Sequence, residues 1–238
     1  MHKFIFLKPT KVAGTSVEAN LARQCGPDDI ITPTIERERT TGNTISRDHR
    51  FYNHISPNAI RRLIPDETWR SYAKITIVRN PWDLCVSRYW WDRSQDKLPD
   101  RLSSLKNIRL IIDSARERHF ISDVLKIMQL KFHPLWRKKD FTYFIEHLPS
   151  IYTNTRYYFE PNGNRVADYY LRFENLNKDY QNLCNNLSIP YESLPVLKSN
   201  VRTSKAHYST YYTEKTKEII QSIFAEEIER FGYSFEHR

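Results

Sequence analysis

The sequence predicts an α/β fold built on a central parallel sheet, and three observations carry that expectation. Two short apolar runs, "FIFL" at Phe4–Leu7 and "AKITIV" at Ala73–Val78, are each followed by a turn and then by a segment of helical period. A third such unit follows at Ala167–Phe173 and Leu176–Leu187. Strands that alternate with helices pair in parallel, because each helical crossover returns the chain in the same direction, and the sheet is then covered on both faces. Ligands of such sheets sit at the carboxyl ends of the strands, so the turns after Leu7 and Val78 are expected to share one crevice.

Each element has its own signal. After the first strand, Val17, Leu21 and Ala22 recur at helical spacing within Thr15–Arg23. The polar stretch from Gly26 to Asn53, with two prolines and Gly42, reads as a long irregular excursion. Ser56 as N-cap and Pro57 in the first turn open a helix with Ile60, Leu63 and Ile64 on one face. Ala73–Val78 is the best strand, and Asn80, Pro81 and Asp83 open the helix after it, running through Cys85, Val86 and Tyr89 to about Trp91. Helical periodicity returns at Ile108–Met128 and Phe141–Leu148. A turn around Gly163 precedes the third strand, and a helix over Glu214–Arg230 precedes the closing "FGYSF". With no internal repeat or low-complexity linker, residues 1–238 are expected to form a single domain.

Lysine and arginine number 37 against 28 aspartates and glutamates, a net charge of +9 that attracts anions. From Arg93 to Lys139 there are twelve basic and five acidic residues, so this helical region holds most of the surplus. A basic run is ordinarily a solvated helix face; the region also suits an acceptor-side insertion, or a non-catalytic surface for an acidic polymer or nucleic acid. Three widely spaced cysteines, Cys25, Cys85 and Cys184, fit neither a disulfide framework nor a zinc site. No apolar run reaches the roughly 18 residues of a membrane span, and the opening stretch is too short for a secretory core, so a soluble, cytoplasmic protein is expected.

The turn "KPTKVAGTS" carries the first chemistry. A strand-to-helix turn presents backbone N–H groups and the positive end of the helix dipole to an anion. Gly14 allows close approach, Thr15 and Ser16 add hydroxyls, and Lys11 adds a charge. The ATP-binding pattern G-x-x-x-x-G-K-[ST] is not met, since the lysine lies three places before the only glycine, which disfavours an ATP phosphotransferase. In the second turn, "VRNPWDLCVS", Arg79 leaves the strand and Ser87 lies two turns into the next helix, a pair suited to a separate anion.

Together these residues resemble the sulfotransferases that use 3′-phosphoadenosine 5′-phosphosulfate, especially those acting on carbohydrate hydroxyls. The resemblance continues in "NHISPNAIRRLI", "DYYLRFENLNKDYQNLC" and "IERFGYSF", and so covers the chain except its basic middle. It implies a three-layer α/β/α fold related to the P-loop nucleotide-binding proteins. It implies that Lys11, Val12, Ala13, Gly14, Thr15 and Ser16 hold the 5′-phosphosulfate, that Arg79 and Ser87 hold the 3′-phosphate, and that Arg202 closes over the nucleotide, with Lys205 assisting. The donor is a co-substrate; neither a metal nor a nucleic-acid partner is implied. The acceptor is a hydroxyl of a glycan or small polyhydroxylated molecule. Thr10 intervenes between Pro9 and Lys11, where the family has proline and lysine adjacent; Lys8 competes for the ligand, and spacing to Gly14 favours Lys11. Lys11 and His54 are the expected catalytic residues: the lysine neutralises the leaving phosphate, and the imidazole, which titrates near neutrality, takes the acceptor's proton. Glu18 and Glu174 are the weaker alternatives for the base. Trp90 and Trp91 are candidates for the acceptor pocket, with one of the two expected in the core.

Overall fold

Three strands form a parallel sheet in the order β1-β2-β3, as the alternation of strands and helices requires. The computed structural model describes residues 2–26, 28–32, 50–94, 140–148, 150–197, 201, 202, 204 and 206–237. The expected helix at Ile108–Met128, the charge surplus up to Lys139, and Lys205 lie outside them. In chain order the elements are β1 (Phe4–Phe6), α1 (Gly14–Arg23), α2 (Pro57–Leu63), α3 (Asp66–Ser71), β2 (Ala73–Val78), α4 (Pro81–Ser94), α5 (Phe141–Glu146), the single turn α6 (Thr155–Tyr158), β3 (Tyr169–Arg172), α7 (Leu176–Leu187), α8 (Glu214–Ile223) and α9 (Ala225–Phe231). Residues 28–32 and 50–53 of the expected excursion carry neither helix nor strand.

The chain divides into two compact units, Met1–Arg79 with Arg156–Ser199, and Asn80–Thr155 with Asn200–Arg238. The first holds the sheet. Phe4, Ile5 and Phe6 pair with Ala73, Lys74 and Ile75, and Ile75–Val78 pair with Tyr169–Arg172. Ile75, Ile77 and Val78 are buried, as a central strand covered on both faces demands. One core cluster joins Leu7, Phe51, Ile55, Ile60, Trp69, Val166 and Ala167. Helix α2 starts by the expected means: Ser56 Oγ accepts the Ala59 N–H at 3.3 Å. The register sets Phe6, the last residue of β1, opposite Ile75, so β2 runs three residues further before the chain leaves it at Arg79.

In the second unit, Asn80 caps α4 by accepting the Trp82 N–H at 3.0 Å. Leu84, Cys85, Val86 and Tyr89 form the buried face of that helix, while Trp90 and Trp91 are both only half-buried, so the expected core tryptophan of that pair is replaced by Tyr89. The Tyr89, Phe144 and Tyr212 rings surround Phe141 at 4.9–6.3 Å between centroids. The single closing helix expected over Glu214–Arg230 is two: α8 ends and α9 begins around Phe224, whose ring is 1 % exposed and whose ψ of 21° bends the chain where that ring enters the core. On α9, Glu227 accepts the Asn154 N–H and the Thr155 hydroxyl, each at 2.9 Å, and burial pushes its carboxyl up to about 7.

Candidate active site

The site begins one residue beyond β1, where the Leu7 N–H still pairs with the Ile75 carbonyl at 2.8 Å. The chain then turns, and the Lys8 side chain goes inward, with Nζ 2.6 Å from Glu18 Oε2. The other oxygen of Glu18 accepts the Thr32 hydroxyl at 2.7 Å. Both side chains of the pair are more than nine-tenths buried. The stem of Lys8 passes directly under the start of α1: a Cβ on Gly14 would lie 2.8 Å from Lys8 Cγ. Gly14 is therefore required by the buried lysine stem as well as by any ligand above it. Lys8 is committed to Glu18, whereas Lys11 is half-buried in the turn.

The turn itself is held in an uncommon shape. Lys11 and Ala13 both have φ of 60°, a left-handed conformation that costs an L-residue about 1–2 kcal/mol. Between them Val12 is 0 % exposed, so its packing anchors the two flanking residues. Ala13 is the N-cap of α1 and has no side-chain acceptor to offer, so no side-chain cap occupies the first N–H groups of the helix. Donors left open at a helix start, together with the dipole, attract an anion. Thr15 is half-buried and Ser16 buried in that same first turn.

Two further sequence-predicted residues converge on this turn. Arg79 leaves the end of β2, donates from Nη1 to the Lys11 carbonyl at 2.6 Å, and lies with its guanidinium carbon 3.8 Å from the centre of the Phe173 ring. It is 9 % exposed and therefore well fixed. His54 Nδ1 lies 3.0 Å from the Lys8 carbonyl. A carbonyl only accepts, so Nδ1 carries the hydrogen and the neutral ring has its lone pair on Nε2, the form a base requires. The His54 backbone is left-handed, at φ 62°, and its carbonyl accepts the Tyr157 hydroxyl at 2.6 Å. Of the alternatives for the base, Glu18 is in its ion pair, and Glu174 is exposed in the short helical turn after β3, where Asp179 accepts the Arg172 N–H.

Ser87 and Arg202 belong to the second unit. Ser87 is half-buried on α4, one turn beyond Asp83 on the same helix face. Arg202 Nη1 lies 3.4 Å from Asp83 Oδ1, and its guanidinium carbon 5.3 Å from the Tyr211 ring. Arg202 is thereby tied to the helix that carries Ser87. Trp90 Nε1 donates to the Tyr211 hydroxyl at 3.2 Å. Burial raises the Tyr211 pKa, but bonds from Ser204, Trp90 and Arg202 outweigh it and leave the hydroxyl below the ordinary tyrosine value.

Sequence reasoning missed the Lys8–Glu18–Thr32 network and the hold of Arg79 on the Lys11 carbonyl. One signal was available for the first: Glu18 sits between Val17 and the Leu21–Ala22 pair, on the face of α1 that must turn inward. A main-chain acceptor such as the Lys11 carbonyl has no side-chain signature. Among the described residues no group of three or more His, Cys, Asp or Glu side chains is placed to hold a metal, and no helix is long and apolar enough to cross a membrane.

A sequence profile described as "Sulfotransferase family" matches residues 1–234. No curated protein and no solved structure matches the chain significantly. The profile match takes in both loops and all three strands of the parallel sheet, and the chain belongs to the sulfotransferase family.

Proposed function

We propose that the protein moves a sulfuryl group from 3′-phosphoadenosine 5′-phosphosulfate to a hydroxyl of a glycan or small polyhydroxylated acceptor. The observation that carries this is the convergence of Lys11, Arg79 and His54 on one left-handed turn whose helix is left without a side-chain cap. The residues present fit a doubly phosphorylated nucleotide. Residues Lys11 to Ser16 offer a charge, hydroxyls and helix-start amides to the phosphosulfate, and Arg79, with its guanidinium carbon 3.8 Å from the centre of the Phe173 ring, is assigned to the 3′-phosphate; the family resemblance assigns Ser87 of the second unit to the same group. Arg202, tied to Asp83, is the residue assigned to close over the nucleotide.

In the reaction the acceptor oxygen attacks sulfur in line, the bond from sulfur to the bridging phosphate oxygen breaks, and adenosine 3′,5′-bisphosphate leaves. The proton of the acceptor hydroxyl goes to His54 Nε2. Lys11 neutralises the charge that grows on the departing phosphate, so positioning and electrostatic stabilisation supply the rate.

Binding and turnover with radiolabelled donor test this. Adenosine 3′,5′-bisphosphate is expected to raise the melting temperature, and ATP with magnesium to leave it unchanged. Lys11→Ala is expected to lower transfer by about 100- to 1,000-fold, and His54→Ala by about 100-fold or more with nucleotide binding kept. Donor binding and transfer that survive the loss of Lys11 would overturn the reading.

A further inference from the structure

His54 is held by two hydrogen bonds that act on different parts of it. Its ring meets the main chain at the start of the turn that carries Lys11, with Nδ1 3.0 Å from the Lys8 carbonyl, and its own carbonyl accepts the Tyr157 hydroxyl at 2.6 Å. The backbone is constrained as well. The Ile55 N–H bonds to the Tyr52 carbonyl at 3.2 Å, so His54 is the third residue of a β-turn, and its φ of 62° is one that glycine or asparagine adopts more readily. Phe51 and Ile55, on either side of it, are buried in the core cluster with Leu7.

Tyr157 is 0 % exposed, and a buried hydroxyl requires an acceptor. The next residue shows the ordinary solution: the Tyr158 hydroxyl donates, at 2.9 Å, to the Ile77 carbonyl in the regular strand β2. The Tyr157 hydroxyl instead reaches the carbonyl of a left-handed residue whose ring is the base in the sulfotransferase reading. The consequence is chemical. A neutral imidazole carries one hydrogen, and the bond made by one nitrogen decides which nitrogen keeps the lone pair. An imidazole with no acceptor at Nδ1 keeps its hydrogen chiefly on Nε2, and in that form Nε2 takes no proton. With the hydrogen on Nδ1, held by the Lys8 carbonyl, Nε2 is the acceptor.

We propose that Tyr157 is a positioning residue for the base: its hydroxyl, through the His54 carbonyl, holds the left-handed backbone from which Nδ1 reaches the Lys8 carbonyl, and so keeps the lone pair on Nε2. The inference rests on the sulfotransferase reading with His54 as base, and adds to it a residue that acts through another rather than on the reactants. Without the hydroxyl the His54 peptide loses its anchor, φ returns to the negative values an L-residue prefers, and the ring leaves Lys8. The hydrogen then moves to Nε2, and the histidine is in the wrong tautomer for a base.

The tautomer provides the test. The full chain is labelled with isotopic nitrogen in its histidines, and long-range proton–nitrogen correlation spectra are recorded at alkaline pH, where the rings are neutral. The His54 signals are those absent from His54→Ala. The parent is expected to show the hydrogen on Nδ1, and Tyr157→Phe to show a shift towards Nε2. Tyr158→Phe, which removes a buried bond of the same kind from the Ile77 carbonyl, is expected to leave the His54 signals as in the parent. Turnover is followed with labelled donor and a panel of glycans, aliphatic alcohols and phenols. Tyr157→Phe is expected to lower kcat about 10- to 100-fold, while KM for the donor and the melting shift with adenosine 3′,5′-bisphosphate stay at parent values. In the His54→Ala background the same change is expected to lower kcat no further, because the two residues act as a unit. A hydrogen on Nε2 in the parent, or one that stays on Nδ1 in Tyr157→Phe, would overturn this inference and leave the sulfotransferase reading in place. Parent turnover in His54→Ala would overturn it together with the base assignment, and a parent protein that binds no bisphosphate would remove the reading beneath both.

Discussion

Among the described residues each unit buries one carboxylate, and the two are treated differently. Glu18 lies under the phosphate turn, at 7 % exposure, and meets a lysine and a hydroxyl; Glu227 in the second unit, at 1 %, meets a backbone N–H and a hydroxyl. A buried charge must be paired or else give up its charge. Glu18 does the first, so a charged pair supports the base of the turn that carries Lys11. Glu227 does the second, with a pKa near 7 set chiefly by burial and opposed by its two donors. The first arrangement leaves a site with compensated charge below it; the second ties α9 to the start of α6 with a group that titrates in the physiological range.

The largest effect is expected from breaking the pair. Lys8→Met keeps the stem that fills the space under Gly14 but leaves Glu18 buried without its cation, and it should cost about 3–5 kcal/mol in urea unfolding. Adding Glu18→Leu should recover most of that loss, because an apolar pair of similar size replaces an ion pair at little net cost. A loss below about 1 kcal/mol in the single variant would mean that Glu18 finds water or a proton, and the contrast with Glu227 would vanish.

Glu227 should reveal itself through pH. Its folded pKa of about 7 lies above the ordinary carboxyl value of 4.5, so between these values the native state binds more protons than the unfolded one. Stability then falls as pH rises through that window and is flat, for this group, above it. The loss amounts to about 3 kcal/mol at full titration, because each tenfold gain in proton affinity on folding is worth roughly 1.4 kcal/mol. Glu227→Gln retains an oxygen for both donors and cannot ionise. It should be more stable than the parent by about 2 kcal/mol at pH 8 and within about 1 kcal/mol of it at pH 4.5. Parallel unfolding curves for the two proteins at both pH values would exclude a titrating Glu227.

These two carboxylates also mark where sequence reasoning reaches and where it stops. Strand β2 and helix α7 have the bounds that β-branched runs and helical period prescribe, and the caps at Ser56 and Asn80 are formed, because each depends on neighbours within a few residues. Helix α3 escaped notice since six residues are too few to establish a period, and the break at Phe224 escaped because the apolar period continues across it. In the candidate site, the distance to Gly14 is what singles out Lys11 in the sequence. Its convergence with Arg79 depends on a contact across 68 positions, and that of Lys8 with Glu18 on which lysine the turn sends inward. Spacing alone does not encode either choice.

The smallest expected effects separate the two helix starts. Helix α8 closes its own: Thr213 Oγ1 accepts the Thr216 N–H and Thr216 Oγ1 accepts the Thr213 N–H, a reciprocal capping box. Thr213→Ala should therefore cost about 1 kcal/mol, equally with and without adenosine 3′,5′-bisphosphate. At α1 the N-cap is Ala13 in a left-handed conformation, so Ala13→Gly removes a Cβ penalty and loses no cap. It should stabilise the free protein by up to about 1 kcal/mol, the gain being limited by the extra freedom glycine has when unfolded. A methyl group that instead proved stabilising would show that Ala13 is not left-handed in solution, and the open helix start would lose the geometry on which its anion binding depends.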